Sequence, residues 1–341
     1  MLLKKIKICS LIFLTQFFYT FNGVNANTLD EIKERGFINC GVSEEFIGFA
    51  SPNDSGKWAG FDVDLCKALS VAIFNDTNKV NFIPTNSRSR FPLLALKEID
   101  VLIRNTTWIF SRDVNLEFEF AGINFYDGQV FIVPKSLDIK SINELDGATI
   151  CVVSGTSNEL NTKYYFEKNN MNYKSLSFET FQQCKDNYIE GICDSYTGDL
   201  TVLATSRVDM PDSFNHVILP EMISKEPLGP VVRQGDNHWS DLVRWTLNVL
   251  IIAEQKNLDS KNIEEKLISG DDETLRLLGK IGNYGDMLEL DNDWAYNIIN
   301  EIGNYSTIYE KNVGINSVLG LKRGMNALWF NGGLLYAPPY R

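Results

Sequence analysis

Two rhythms of apolar and polar positions alternate along this chain. Phe61 to Phe74 (FDVDLCKALSVAIF) is apolar at helical spacing, which predicts a helix with Leu65, Leu69, Ala72 and Ile73 on its buried face. Shorter apolar runs at 38–42, 79–85 and 101–105 predict strands, with a helix over 88–97 between the last two. A short helix over 28–35 precedes them, with Thr28 as its N-cap, Asp30 and Glu31 in its first turn and Gly36 as its stop. The same alternation returns later: strand 149–153, helix 156–168, strand 175–178, helix 180–190 and strand 193–197, running into a helix at Asp199. A strand at 217–220 leads back out. Strands alternating with helices predict α/β units with largely parallel sheets, and here there are two of them.

The segments between the units are short. Phe125 to Pro134 (FYDGQVFIVP) and Pro227 to Gly235 (PLGPVVRQG) are β-rich, without the composition of a flexible linker. Two such crossings predict two lobes on a hinge near 126–130 and 224–229. The expected division is a first lobe of 27–126 and 226–341, and a second lobe of 127–225. From about Asp236 onward the chain reads as helical and Gly-punctuated, a C-terminal extension carried by the first lobe.

The first 26 residues belong to neither unit. Lys4, Lys5 and Lys7 precede an apolar run from Ile8 to Phe21, which ends in Val24-Asn25-Ala26. This is the layout of a secretory signal peptide cleaved after Ala26. The run is shorter than the ~20 residues a membrane span needs, and Cys9 lies ahead of the apolar core, a poor position for lipidation. The expectation is export. No later stretch is long and apolar enough to span, which argues against a sensory ectodomain.

Export changes how the cysteines read. Cys40, Cys66, Cys151, Cys184 and Cys193 remain, an odd count in an oxidising compartment, with no C-x-x-C pair. Two fall in the first unit and three in the second, so bridges are expected inside each. Cys40–Cys66 would tie the first strand to the helix below it. Cys151–Cys193 is preferred in the second unit because both begin adjacent-looking strands; Cys184 is then free, with the other pairings left open.

Composition narrows the function. The 341 residues are about two domains' worth at roughly 150 per domain. With 44 acidic and 32 basic residues the net charge is -12, and loss of the three leader lysines makes it more negative. Nucleic acid is therefore not an expected partner. Only His216 and His238 exist, too few for a histidine metal site or relay; both read as surface or packing residues. Asp62 and Asp64 favourably meet a helix dipole rather than a metal, and neither metal nor cofactor is expected. Trp294 and Trp329 read as core of the extension.

Ligands of open α/β sheets lie beyond the carboxyl ends of the strands. The strand at 101–105 empties into Asn105-Thr106-Thr107, and Arg112 follows seven residues after Asn105. A guanidinium there can clasp a carboxylate through two parallel bonds, or it can pair with Asp113 at the surface. Strand 149–153 empties into Ser154-Gly155-Thr156-Ser157 at a helix start, an anion cradle or a plain N-cap. The strand from Cys193 empties into Gly198-Asp199, an acid placed to receive an ammonium or to cap the next helix. Together these outline a site for a zwitterion.

The segments GFDVDLCKAL (60–69), IDVLIRNTTWIFSRD (99–113), FYDGQVFIVPK (125–135), VVSGTSNELN (152–161), CDSYTGD (193–199), ISKEPLGPVVRQGD (223–236), LDNDWAYNIINEIGNY (290–305) and NALWFNGGLLYAPPYR (326–341) carry a resemblance. It covers essentially the whole mature chain. They resemble the periplasmic solute-binding proteins of ABC transporters for polar amino acids, and more narrowly the general L-amino-acid-binding branch with its C-terminal extension. The resemblance implies a bilobed Venus-flytrap α/β fold in the periplasm, a monomer, one L-amino acid in the cleft, and transient contact with inner-membrane permease subunits. It implies Arg112 at the α-carboxylate, Asn105 and Thr107 at the backbone groups, Ser157 with Thr156 as second-lobe donors to the carboxylate, and Asp199 at the α-ammonium. Phe46 stands where an aromatic often covers the ligand side chain. Two departures matter. Ser43 replaces the acid of basic-amino-acid binders, which weakens a lysine- or arginine-specific reading, and Gly198-Asp199 replaces a polar pair common in the branch.

The rival is an enzyme on the same fold, a periplasmic dehydratase of a cyclic amino acid. Glu44, Glu45 or Glu159 would supply its acid, and product formation would identify it.

Overall fold

The computed structural model describes residues 27–44, 46–53 and 55–341; the predicted signal segment and Glu45 lie outside them. Two five-stranded sheets organise the chain. In the first, β1 (Ile38–Ser43) is the centre of a parallel trio with β4 (Val80–Thr85) and β5 (Val101–Leu102). The sheet is completed by β14 (Val231–Arg233), antiparallel to β5, and β6 (Phe118–Phe120) at its edge. A small hairpin, β2 (Ser51–Pro52) with β3 (Trp58–Ala59), stands apart from it.

The second sheet repeats the plan. Its parallel trio is β10 (Lys174–Phe178), β9 (Thr149–Val153) and β11 (Ser195–Asp199), followed by antiparallel β8 (Gln129–Pro134) and β12 (His216–Ile218). Between the sheets, β7 (Phe125–Asp127) and β13 (Glu226–Leu228) pair antiparallel as a two-stranded ribbon. The ribbon is tight: a Cβ on Gly229 would lie 2.1 Å from the Gly122 carbonyl oxygen, so only glycine lets the two crossings pass this closely.

Helices α1 (Thr28–Arg35), α2 (Phe61–Phe74), α3 (Arg90–Ala95) and α4 (Phe110–Asn115) belong to the first lobe, and α5 (Ser157–Lys168), α6 (Phe181–Ile189) and α7 (Leu200–Val208) to the second. Then α8 (Asn237–Gln255) returns to the first, followed by α9 (Ile263–Ser269), α10 (Asp272–Leu277), α11 (Trp294–Glu301) and α12 (Tyr305–Asn312). Among the described residues no helix is long and apolar enough to cross a membrane.

The structure corrects several local expectations. Asn27, not Thr28, caps α1, its side chain accepting from Asp30 N at 2.8 Å. The strand expected over 101–105 keeps only Val101 and Leu102 in regular pairing, because the chain then turns toward the cleft and Thr107 bridges to Leu228. Trp294 is core at 1% exposure, whereas Trp329 is 54% exposed and stacks edge-on against Phe330 and Tyr336. α2 is buried nearly all round, since α11 and α12 cover the side that the pattern left for water. Disulfides join Cys40 to Cys66 and Cys151 to Cys193, and Cys184 is free and buried.

Candidate binding site between the lobes

The carboxyl ends of β5, β9 and β11 converge on one cleft. Asn105, Thr107, Arg112, Thr156, Ser157 and Asp199 line a small cavity of about 10 Å³, together with Arg90, Arg104, Asn158 and Phe181. That is room for about one water. A larger cavity of about 150 Å³ adjoins it, sharing Arg104 and Phe181 and lined also by Glu44, Phe46 and Thr180.

Arg112 sits on α4 and is 7% exposed. Its Nη1 donates to the Thr107 carbonyl at 2.9 Å, and its guanidinium lies 5.6 Å from the Phe91 ring centre. One bond and one aromatic face fix the fork without saturating it. The alternative, a surface pair with Asp113, is not formed. Burial holds the Arg112 pKa below its ordinary value, opposed by Glu226 and Asp199.

Asp199 ends β11 and precedes α7, but its side chain does not cap that helix. It turns into the cleft, where Oδ1 accepts from Asn158 Nδ2 at 2.8 Å. Burial, then the nearby carboxylates of Glu226 and Asp127, hold its pKa well above the usual carboxylate range. A buried carboxyl under this repulsion is relieved by an arriving cation.

The hydroxyls of Thr107 and Ser157 do not point at a free carboxylate position. Both donate to Oε2 of Glu226, at 2.6 and 2.8 Å, and lie 3.2 Å from each other. Oε1 of Glu226 accepts from Asn161 Nδ2 and Ser224 Oγ at 2.7 and 2.6 Å. Thr156 Oγ1 is turned back to the Val153 carbonyl at 2.6 Å. What Thr156 and Ser157 offer a ligand is therefore the start of α5, whose first N–H groups have no intrahelical partner.

Ser43 and Phe46 stand on the first-lobe side. Ser43 Oγ accepts from Arg104 Nε at 3.2 Å and lies 3.3 Å from Asn105 Oδ1. Phe46 is buried, stacked on Phe49 with centroids 4.7 Å apart, and faces Phe181 of the second lobe at 6.2 Å. Of the enzyme candidates, Glu44 is exposed at the cavity rim, and Glu159 accepts from Gly155 N and Ser177 Oγ on α5's outer side. His216 pairs with the Tyr188 hydroxyl, and His238 lies 4.0 Å from Glu289; neither reaches the cleft. Asp64 is held by Lys311 and Asn312.

Four charged or polar groups were missed: Arg90, Arg104, Asn158 and Glu226. A signal existed for three. Arg104 ends the apolar run VLIR, Arg90 opens the apolar FPLL, and Glu226 sits within a hinge crossing, each a charge where burial was expected.

The lobes touch across this cleft. Ser87 Oγ donates to the Ser154 carbonyl at 3.0 Å, Thr205 Oγ1 to the Ile47 carbonyl at 3.1 Å, and Arg88 pairs with Glu179.

Comparison with known proteins identifies the family. The glutamate/glutamine/aspartate/asparagine-binding protein BztA of Rhodobacter capsulatus is 47% identical over 318 residues, 93% of this chain and 94% of that protein. The general L-amino acid-binding periplasmic protein AapJ of Rhizobium johnstonii is 48% identical over 322 residues, 94% of each chain. Among solved structures, an ABC transporter periplasmic binding protein from Brucella ovis with glutathione bound superposes with a TM-score of 0.91 at 48% identity, covering 93% of this chain and all of that one. Residues 38–275 match the model for bacterial extracellular solute-binding proteins, family 3, and this chain belongs to that family.

Proposed function

We propose that the protein captures a free L-amino acid between its lobes in the periplasm and delivers it to the permease of an ABC transporter. Arg112 takes the α-carboxylate with the start of α5 at Thr156 and Ser157, and Asp199 takes the α-ammonium, with Asn105 and Thr107 beside them. The side chain projects past Ser43 and Phe46 into the larger cavity. The observation that carries this reading is the convergence of a buried, unsaturated guanidinium and a buried, repelled carboxyl from opposite lobes on one cleft. The names of the BztA and AapJ relatives point the same way.

The proposed lobes are 27–126 with 226–341, and 127–225. The mature chain starts after Ala26 and acts as a monomer without catalysis. Of the acids the dehydratase reading names, Glu44 is exposed, Glu159 is already bonded and Glu45 lies outside the described residues. A thermal-shift screen against the twenty L-amino acids tests the function. A ligand at a hundred times its Kd stabilises by about 2.7 kcal/mol, so at least one must raise the melting temperature. No shift with any of them contradicts the proposal.

A further inference from the structure

Arg104 is a buried cation at the junction of the two cavities, and the zwitterion site does not use it. It leaves β5 two residues after Leu102, is 4% exposed, and lines both the small cavity that holds Arg112 and Asp199 and the larger one beside it. Its orientation is set from behind. Nε donates to Ser43 Oγ at 3.2 Å, and among the described residues this is the one hydrogen bond its guanidinium makes. The two terminal nitrogens are left for the cavities.

The acceptors around it are bonded elsewhere or form no hydrogen bond to it, which leaves its outer donors open. An amino acid's own two charges are matched by Arg112 and Asp199. Glu226 is saturated by four donors, and Asp127 accepts from Thr201 and Gly128. Arg90 stacks on Phe91 and reaches Thr106. Asp62, then exposed Glu44 at the cavity rim and Asp199, are the nearby opposite charges to Arg104, yet no hydrogen bond joins any of them to it, and Asp62 Oδ2 has no partner of its own. Lys185, the other cation on the larger cavity, lies 3.6 Å from Asp209. A buried guanidinium with open donors favours a ligand that brings an acceptor.

We propose that Arg104 is a specificity residue that selects amino acids whose side chain ends in a carboxylate, or more weakly in an amide oxygen. The inference rests on the amino-acid-binding reading above and places the ligand's far end at the cavity junction. Ser43 works with it by fixing the plane of the fork.

Titration calorimetry on the purified mature protein and Arg104→Gln, with L-glutamate, L-glutamine and L-leucine, tests this. The wild type should bind glutamate more tightly than leucine. Arg104→Gln should lose at least about tenfold for glutamate, less for glutamine and little for leucine. If removing Arg104 unbalances Asp62 and the variant does not fold, Arg104→Gln with Asp62→Asn removes both buried charges, and the same ratio is read. An equal loss for all three ligands makes Arg104 a structural residue and overturns the proposal while leaving amino-acid binding intact. A wild type that binds leucine but not glutamate overturns it as well. Binding of no amino acid by the wild type overturns both readings together.

Discussion

On the proposed reading Arg112 and Asp199 act on atoms that every L-amino acid shares, and that gives their substitution a distinctive signature. Arg112→Ala leaves a buried carboxylate short of its partner, a loss of about 2–5 kcal/mol. Affinity should fall at least tenfold, by similar factors for small, polar and apolar ligands, whereas Phe46→Ala should reorder them. Calorimetry with four chemically different amino acids checks the division, and selective loss in Arg112→Ala would make that residue a side-chain reader. The pKa of Asp199 adds a proton signature. Burial, then Glu226 and Asp127, raise it, while Asn158 and Arg112 oppose them. Because the folded pKa is raised, this carboxyl lowers stability as pH rises above its ordinary 3.8 through the folded value. Asp127 behaves alike between 3.8 and about 6. An arriving ammonium lowers the Asp199 pKa, so binding at a pH where the free carboxyl still holds its proton should release protons and tighten as pH rises. Calorimetry in buffers of different ionisation enthalpy reads the release. Its persistence in Asp199→Asn would assign the proton elsewhere.

The helices and strands were legible where the pattern was long. The helix over 61–74 was readable to the residue, since fourteen positions carry its period. What was not readable is how much of it is buried, because its cover arrives from α11 and α12, more than two hundred residues later. Likewise Asn105, Thr107, Ser157 and Asp199 were found because strand ends are a topological rule. Glu226 was not, since its role depends on two hydroxyls from different lobes reaching one carboxylate. The exposed Trp329 shows the opposite error: a large apolar residue says nothing of what lies beside it. The Cys40–Cys66 bridge ties β1 to α2, and its sequence separation is 26. Closing that loop should stabilise by roughly 3–4 kcal/mol on the chain-entropy estimate. Urea unfolding of Cys40→Ala with Cys66→Ala should show a lower midpoint, and an unchanged midpoint would remove this bridge from the stability account.

At the scale of the molecule, the two lobes meet through a ribbon of only three residue pairs, and the C-terminal extension holds one side of it. Asn326 accepts from Tyr126 N at 2.7 Å and donates to Tyr126 O at 2.9 Å, as a neighbouring strand would. Glu226, on the other strand of the ribbon, bonds Thr107 of one lobe and Ser157 of the other, so rotation about the ribbon makes or breaks contacts across the cleft. The cavity between Arg112 and Asp199 is about 10 Å³ with the lobes in contact, too small to admit an amino acid from solution. Entry requires opening. A ligand that completes both half-sites then binds the closed form better and shifts the population towards it. Small-angle scattering on the mature protein, with and without an amino acid that raises its melting temperature, measures this directly. The account predicts a smaller radius of gyration with ligand, and a ligand-bound curve that fits the lobes in contact as they stand here. Superimposable curves at saturating ligand would contradict it.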